Sequence, residues 1–204
     1  MTIPVPPTVF VVDDDDDLRD ALCRMLEGAG LAVEGHADGP SFLAGCREDR
    51  PGCLLLDVAM PGMNGLEVQE SLNTRGLAIP IIFLTGHGDI PMAVRAVQNG
   101  AVDFLEKPAS GIVLLDRVRR ALAMDQQRRS AREEARAVRD RYARLTPRER
   151  QVMALVVDGH SSKTIAARLD LSYRTVEVHR THIMHKMGAD SLAELVHLAT
   201  HCAG

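Results

Sequence analysis

The chain has 204 residues, enough for one large domain or two small ones. Its hydrophobic fraction of 46% suits a packed globular protein, and the absence of Trp with only two Tyr predicts aliphatic cores. No apolar run reaches the roughly 18 residues of a membrane span, and the N-terminus lacks the basic start and apolar core of a signal peptide. The composition therefore argues against a membrane or secreted protein, and we expect a cytoplasmic one.

The net charge of −4 hides an uneven distribution along the chain. Residues 1–107 hold 17 acidic and 7 basic residues, whereas residues 108–204 hold 11 acidic and 17 basic ones. An acidic half joined to a basic half indicates two partners of opposite charge. A metal or phosphate centre and a nucleic acid fit this division.

Short apolar runs alternate with helical patterns in the first part of the chain. We predict strands over 8–13, 31–36, 52–57, 79–85 and 102–106, and helices over 17–28, 40–49, 64–74, 90–99 and 111–124. This alternation predicts an α/β fold with a doubly wound, five-stranded parallel sheet. The last helical pattern continues without Gly or Pro through 125–142, which predicts a helical linker. A partly disordered basic tether is the alternative.

Residues 143–204 carry the signals of a small all-α domain. Thr146 and Glu149 predict a capping box, and Ser191 and Glu194 predict a second one. Between the two boxes, two helical stretches are separated by a short Asp-Leu turn, which gives them the proportions of a helix-turn-helix. We therefore expect a sheet domain over 8–124, a helical linker over 125–142 and a helix-turn-helix domain over 143–204.

Four of the predicted strands end in residue types that phosphoryl transfer uses. Asp13 and Asp14 follow the first strand, Asp57 ends the third, Thr85 the fourth, and Lys107 follows the fifth. The carboxyl ends of parallel strands meet at one edge of a sheet, where the carboxylates repel one another unless a cation lies among them. Oxygen ligands favour Mg²⁺. In such a site a carboxylate is the nucleophile, Lys107 neutralises phosphate charge and Thr85 bonds a phosphoryl oxygen.

The motifs that carry these residues resemble the receiver domain of two-component response regulators. They are Val-Val-Asp-Asp at 11–14, Leu-Asp-Val-Ala-Met-Pro-Gly at 56–62, Leu-Thr-Gly-His-Gly-Asp at 84–89 and Lys-Pro at 107–108. The resemblance covers residues 8–124. It implies Asp57 as phosphoacceptor, Thr85 and Lys107 as phosphate sensors and Phe104 as an aromatic that repacks on phosphorylation. The implied Mg²⁺ ligands are Asp13, Asp14, Asp57 and the carbonyl of Ala59.

Three positions depart from the commoner receiver pattern. Ala59 supplies no polar side chain, and His87 stands two residues after the threonine, so we expect an altered dephosphorylation rate. Ala109 follows Lys-Pro where an aromatic residue is frequent, which bears on the packing of the last receiver helix.

The helix predicted from residue 172 has two different faces. Val176, His179, Ile183 and Met187 form the predicted core face, with His179 as a buried histidine whose hydrogen bonds are satisfied. The opposite face is polar except for one valine, which suits contact with a thymine methyl in the major groove. The candidate DNA contacts, including phosphate contacts by the two lysines and Arg180, are Lys163, Arg174, Thr175, Glu177, Val178, Arg180, Thr181, His185 and Lys186.

The second half resembles the LuxR-type output domain over residues 143–203. The matching motifs are Leu-Thr-Pro-Arg-Glu-Arg at 145–150, Lys-Thr-Ile-Ala at 163–166 and Arg-Thr-Val-Glu-Val-His-Arg at 174–180. The whole chain resembles the NarL/FixJ class of transcription regulators, with the FixJ and StyR subgroup nearest through its Thr-Gly-His-Gly-Asp-Ile-Pro run.

This resemblance implies a phosphorylation-activated transcriptional regulator. A sensor histidine kinase would donate the phosphoryl group to Asp57, and the regulator would bind promoter DNA as a homodimer paired through a final helix over 191–202. RNA polymerase is a further candidate partner. No enzymatic activity is implied beyond Mg²⁺-dependent self-phosphotransfer and self-dephosphorylation at Asp57.

Two alternatives stay open at this point. An aspartate-nucleophile phosphohydrolase would require Asp-x-Asp-x-Thr, and the acidic run over 13–17 lacks the threonine. A DNA-binding protein whose sheet domain senses a metabolite would need no phosphorylation. Turnover of phosphoesters tests the first alternative, and phosphotransfer from acetyl phosphate tests the second.

Overall fold

A computed structural model describes residues 6–48, 50–86 and 90–201, with only the backbone described at 90–93. The chain divides into two units, Met1–Arg128 and Arg129–Gly204, here called unit 1 and unit 2. The division at residue 128 falls inside the predicted linker, so the predicted segment boundaries stay predictions. Among the described residues, no helix is both long and apolar enough to cross a bilayer.

Unit 1 alternates strands with helices along the chain. The strands are β1 (Thr8–Val12), β2 (Ala32–His36), β3 (Gly52–Asp57), β4 (Ile81–Thr85) and β5 (Asp103–Glu106). The helices are α1 (Asp16–Gly28), α2 (Gly39–Gly45), α3 (Gly65–Thr74), α4 (Ile90–Gln98) and the first part of α5 (Gly111–Ala143). All pairings are parallel, in the order β2-β1-β3-β4-β5. The predicted doubly wound α/β fold is confirmed.

The sheet of unit 1 buries a hydrophobic cluster on each face. Side chains alternate along a strand, so β1 directs Val9 into the cluster that contains α1 and α5, and Phe10 into the cluster that contains α2, α3 and α4. β3 and β4 follow the same alternation, and their residues are buried throughout. Helices therefore cover both faces, and the polar groups at the carboxyl ends of the strands lie outside the cores.

Two elements of unit 1 are shorter than predicted by two residues or more. α2 ends at Gly45, and Cys46 is extended, although the sequence predicted a helix to residue 49. Gly is a poor residue for the interior of a helix, which explains the early end. β4 begins at Ile81 rather than at residue 79. Pro80 has no N–H to donate to a neighbouring strand, although its carbonyl accepts from the N–H of Leu54 at 2.9 Å.

Unit 2 contains the end of α5 and four shorter helices, which are α6 (Pro147–Val157), α7 (Ser162–Leu169), α8 (Tyr173–Met187) and α9 (Leu192–Thr200). The predicted capping box of Thr146 and Glu149 is confirmed. For the predicted capping box at Ser191, one of the two hydrogen bonds is confirmed and the other is wrong. Ser191 accepts from the N–H of Glu194 at 3.1 Å, but the Glu194 carboxylate accepts from the N–H of Asp190, one residue before the cap.

α7 and α8 form the predicted helix-turn-helix. Asp170 ends α7 in the left-handed region with φ of 53°, a conformation that Asp tolerates. Val176, Ile183 and Met187 of α8 are buried in the core of unit 2. His179 is half-buried, and its buried Nδ1 has no hydrogen-bond partner among the described residues. The prediction of a satisfied histidine is therefore wrong.

Candidate functional site

Carboxylates and an ammonium meet at the carboxyl edge of the sheet in unit 1. Lys107 Nζ lies 2.7 Å from Asp13 Oδ2 and 2.8 Å from Asp57 Oδ1. Carboxylate oxygens of Asp13, Asp14 and Asp57 all lie within 4.8 Å of one another. The strand ends thus bring together residues that are up to 94 positions apart in the chain. We call Asp13, Asp14, Asp57, Thr85 and Lys107 the acidic site.

The charges of the acidic site are largely removed from solvent. Asp13 and Asp57 are 1% and 4% exposed, whereas Asp14 is exposed. Burial raises the pKa of the Asp57 carboxyl, and the hydrogen bond from Lys107 offsets only part of this effect. Burial lowers the pKa of Lys107, but its bonds to the two carboxylates outweigh burial and raise it. Two buried carboxylates therefore share one ammonium that stays protonated.

The start of α3 packs closely against the backbone of Asp57. A Cβ at Gly65 would lie 2.4 Å from the carbonyl oxygen of Asp57, so no larger residue fits there without a shift of the backbone. The Gly65 N–H donates to the Val58 carbonyl at 3.0 Å, and the Val58 N–H donates to the Leu84 carbonyl in β4 at 3.0 Å. The position of Asp57 is therefore fixed by the sheet and by a helix start.

The loop from β1 to α1 holds Asp13 through several hydrogen bonds. Asp13 Oδ1 accepts from the N–H of Asp15 at 3.0 Å, and the Asp15 side chain caps α1. The Arg19 guanidinium donates to the main-chain carbonyl of Asp13 at 2.7 Å and pairs with the carboxylate of Asp16. The sequence interpretation did not include Arg19. The available signal was its position three residues after Asp16, which places both on one side of the first turns of α1.

The other residues predicted for this region differ in their burial and in their contacts. Thr85 is 3% exposed, and its carbonyl accepts from the N–H of Lys107 at 2.7 Å, which joins the ends of β4 and β5. Phe104 is half-buried, with its ring centroid 6.1 Å from that of Phe83. Ala59 is exposed in the loop after β3. His87 lies outside the described residues, so its predicted effect on dephosphorylation stays a prediction.

The acidic site fits a hard divalent cation. Its donors are carboxylate oxygens close enough to share one ion, which is the ligand chemistry that Mg²⁺ prefers. One ammonium does not balance two buried carboxylates, so an additional cation would relieve their repulsion. A nucleophilic carboxylate beside fixed positive charge is the arrangement that phosphoryl transfer requires.

The candidate DNA contacts in unit 2 differ in exposure. The exposed ones are Lys163, Arg174, Val178, Thr181 and His185, and the half-buried ones are Thr175, Glu177, Arg180 and Lys186. Val178 is 46% exposed, although it is apolar. Arg180 Nε lies 3.9 Å from Glu177 Oε1, so these two residues also pair along the helix. The outer face of α8, defined as Arg174, Val178, Thr181 and His185, is thus open to a partner.

Lys186 has a partner inside unit 2. Its ammonium donates to both carboxylate oxygens of Glu149, at 2.9 and 2.7 Å. Glu149 is 3% exposed and also accepts from the N–H of Thr146 at 2.7 Å. Burial alone would raise the pKa of the Glu149 carboxyl, but these hydrogen bonds outweigh it and lower the pKa to about 2. Lys186 therefore joins α8 to α6, and its phosphate contact stays a prediction.

Comparison with known families agrees with the division of the chain into two units. The family model of the response regulator receiver domain matches residues 9–119. The family model of the bacterial regulatory proteins of the luxR family matches residues 143–199. Each match lies over one of the two candidate sites.

Curated relatives match the chain over nearly its whole length. The transcriptional regulatory protein FixJ of Azorhizobium caulinodans is 48% identical, with 94% of this chain and 90% of the relative covered. The response regulator protein TodT of Pseudomonas putida is 43% identical, with 92% and 83% covered. Among solved structures, the response regulator StyR is 45% identical with a TM-score of 0.88, over 96% of this chain and 99% of that chain.

Proposed function

The chain belongs to the response regulators of two-component systems, as a transcriptional regulator with a receiver domain and a LuxR-type DNA-binding domain, and on this basis we propose that Asp57 accepts the phosphoryl group. The observation that carries the proposal is the position of Lys107 Nζ, within 2.8 Å of the carboxylates of both Asp57 and Asp13. The family assignment favours this function over a phosphohydrolase and over a metabolite sensor.

In the proposed transfer, a carboxylate oxygen of Asp57 attacks phosphorus while the bond from phosphorus to the donor nitrogen of a sensor histidine kinase breaks. The carboxylate is already an anion, so no general base is needed. Asp13, Asp14, Asp57 and the carbonyl of Ala59 would hold Mg²⁺, which supplies positive charge to the phosphoryl oxygens. Lys107 supplies a second positive charge. Self-dephosphorylation of Asp57 belongs to the same proposal.

The proposed switch couples phosphorylation to packing at β4 and β5. The Thr85 hydroxyl would bond a phosphoryl oxygen, and Phe104 would repack as Thr85 moves. Phe104 is half-buried against Phe83, so its ring has an apolar neighbour and a route to solvent. Phosphorylation shifts the population between two packings only by its differential interaction with them.

The proposed output is binding of promoter DNA through the outer face of α8. Arg174, Thr181 and His185 supply hydrogen-bonding groups and Val178 an apolar contact, as a major-groove helix requires. α9 would pair two phosphorylated copies, and its exposed Leu192 and Val196 supply apolar surface. Promoter DNA places this function in the bacterial cytoplasm, with RNA polymerase as a further proposed partner.

Phosphorylation of the full chain by acetyl phosphate with Mg²⁺ tests the proposal. We expect intact-mass spectrometry to detect one phosphoryl group on the wild type and none on Asp57→Asn. Asp20→Asn, at an exposed acid of α1, is the matched control and should be phosphorylated normally. A gel shift with promoter DNA should strengthen on phosphorylation of the wild type and of Asp20→Asn, but not after the same treatment of Asp57→Asn. Retention of the label by Asp57→Asn would refute the assignment.

A further inference from the structure

Arg19 contacts the acidic site without being one of its predicted members. Its guanidinium donates to the main-chain carbonyl of Asp13 at 2.7 Å and pairs with the carboxylate of Asp16 in the first turn of α1. Asp13 and Asp14 lie between β1 and that turn. A single side chain therefore connects the end of the strand to the start of the helix, across the residues that carry two of the proposed metal ligands.

The stem of the Arg19 side chain passes close to a glycine in β2. A Cβ added at Gly35 would lie 3.5 Å from both Cγ and Cδ of Arg19, an ordinary van der Waals distance. The Arg19 side chain is 15% exposed. Packing of this kind restricts its rotamers, which lowers the entropy that the two contacts must offset.

A second arginine of α1 shows what an ordinary surface pair looks like. Arg24 lies 3.7 Å from Asp20, and the two side chains are 70% and 67% exposed. Exposed pairs of this kind contribute little. Arg19 differs because it is mostly buried and because its acceptor at Asp13 is a backbone carbonyl. A charged donor on that carbonyl fixes the main chain of the loop rather than a mobile side chain.

We propose that Arg19 is a positioning residue for the metal site, which holds the Asp13–Asp14 loop so that both carboxylates face Asp57. The inference rests on the proposed function of the acidic site. Residues that orient metal ligands through hydrogen bonds typically change metal affinity about 10- to 100-fold when they are replaced. Arg19 contacts the loop and not the reacting atoms, so its loss acts on metal binding and leaves the transfer step intact once metal is bound.

Titration of Mn²⁺ into the full chain, followed by the electron paramagnetic resonance signal of the free ion, measures this effect without phosphorylation. We expect Arg19→Gln to raise the Kd for Mn²⁺ about tenfold. Arg19→Lys keeps the positive charge but loses the guanidinium that contacts both the Asp13 carbonyl and the Asp16 carboxylate. Its Kd for Mn²⁺ should lie between those of Arg19→Gln and the wild type. Arg24→Gln, the matched control, should bind Mn²⁺ as the wild type does.

Rates of phosphorylation by acetyl phosphate over a range of Mg²⁺ concentrations provide the second measurement. Arg19→Gln should need about tenfold more Mg²⁺ for half-maximal rate and should reach the wild-type rate at saturation. If Arg19→Gln fails to fold, Asp16→Asn removes one of the two contacts and should show a smaller increase in Kd.

Several outcomes would overturn the inference. A folded Arg19→Gln that binds Mn²⁺ like the wild type would exclude it, as would a reduced melting temperature of the metal-free protein with unchanged metal affinity. A loss of rate that saturating Mg²⁺ does not restore would indicate a role other than positioning the metal ligands. Failure of the wild type itself to bind Mn²⁺ or to be phosphorylated would instead refute the proposed function.

Discussion

Unit 1 and unit 2 each bury carboxylates, but they surround them differently. In unit 1 the pKa of Asp57 is raised, because burial outweighs the one ammonium that it shares with Asp13. In unit 2 the pKa of Glu149 is lowered to about 2, because Lys186 donates to both of its oxygens and the N–H of Thr146 donates as well. Within the part of the chain that the structure describes, the Asp57 carboxylate contacts one ammonium that it shares with Asp13, whereas the Glu149 carboxylate accepts several hydrogen bonds.

The difference agrees with the proposed role of Asp57 as a reactive acid and with a structural role for Glu149. A carboxylate that lacks donors in the protein gains from an incoming cation or from modification of its oxygen, and perturbed groups of this kind mark functional sites. A carboxylate that is fully hydrogen-bonded gains nothing from either, and its ion pair joins two helices instead. Burial alone does not distinguish them, since Asp57 is 4% exposed and Glu149 is 3% exposed.

Replacement of Lys107 by Met should have the largest effect on this comparison. The change leaves Asp13 and Asp57 without the ammonium that both contact, so the rate of phosphorylation by acetyl phosphate should fall about 100-fold or more. Lys163→Met, at an exposed lysine of α7, is the control and should keep the wild-type rate. An unchanged rate in Lys107→Met would show that the shared ammonium has no part in the transfer.

Replacement of Glu149 by Gln should affect stability instead of phosphorylation. The substitution removes the charge that Lys186 and Thr146 compensate, so unit 2 should lose about 1–3 kcal/mol of unfolding free energy at neutral pH. Urea unfolding followed by circular dichroism measures this loss. The rate of phosphorylation in unit 1 should be unchanged, and a reduced rate would contradict the division of roles.

Glu149 also predicts how the stability of unit 2 depends on pH. Folding lowers the pKa of Glu149 from 4.5 to about 2, so the stability that it contributes is complete above pH 4.5 and is lost as the pH falls through about 2. The melting temperature of the wild type should drop across this window. Glu149→Gln should show a smaller drop, and equal drops in both proteins would exclude this residue as the cause.

The last comparison is between a buried and an exposed apolar residue of α8. Ile183 is 1% exposed and Val178 is 46% exposed. Ile183→Ala should destabilise unit 2 by about 3 kcal/mol. Val178→Ala should change its stability by less than about 0.5 kcal/mol, yet weaken binding to promoter DNA by about 1 kcal/mol in a gel shift. Undiminished DNA binding by Val178→Ala would remove it from the proposed interface.

The fold and the acidic site could be predicted because the patterns that indicate them are local. Each pattern lies within a single strand or a single helix. Each central strand is a short apolar run, and the polar residue at its end is visible in the sequence. Parallel pairing then brings Asp13, Asp57 and Lys107 together without further information. The predicted core positions Val176, Ile183 and Met187 of α8 are buried for a comparable reason, since they recur at helical spacing.

What the sequence did not show depends on partners that are distant in the chain. The sequence predicts a phosphate contact for Lys186, but it carries no local signal for the hydrogen bond of Lys186 to Glu149, 37 residues away. His179 shares the core spacing of Val176, yet its Nδ1 finds no partner among the described residues. For Arg19, the spacing from Asp16 is visible in the sequence, but the Asp13 carbonyl that it also binds carries no side-chain signal.

The tight contact between Gly65 and the carbonyl of Asp57 also has a consequence for how this protein can vary. A methyl group at position 65 would press on the aspartate's own backbone, whereas the neighbouring Ala59 faces solvent. The backbone of Asp57 is therefore fixed by a position that has no room for a side chain, beside a loop position that is exposed. We expect exchange of the residue at 59 to change the lifetime of the phosphoryl group proposed for Asp57, while the backbone of Asp57 stays in place.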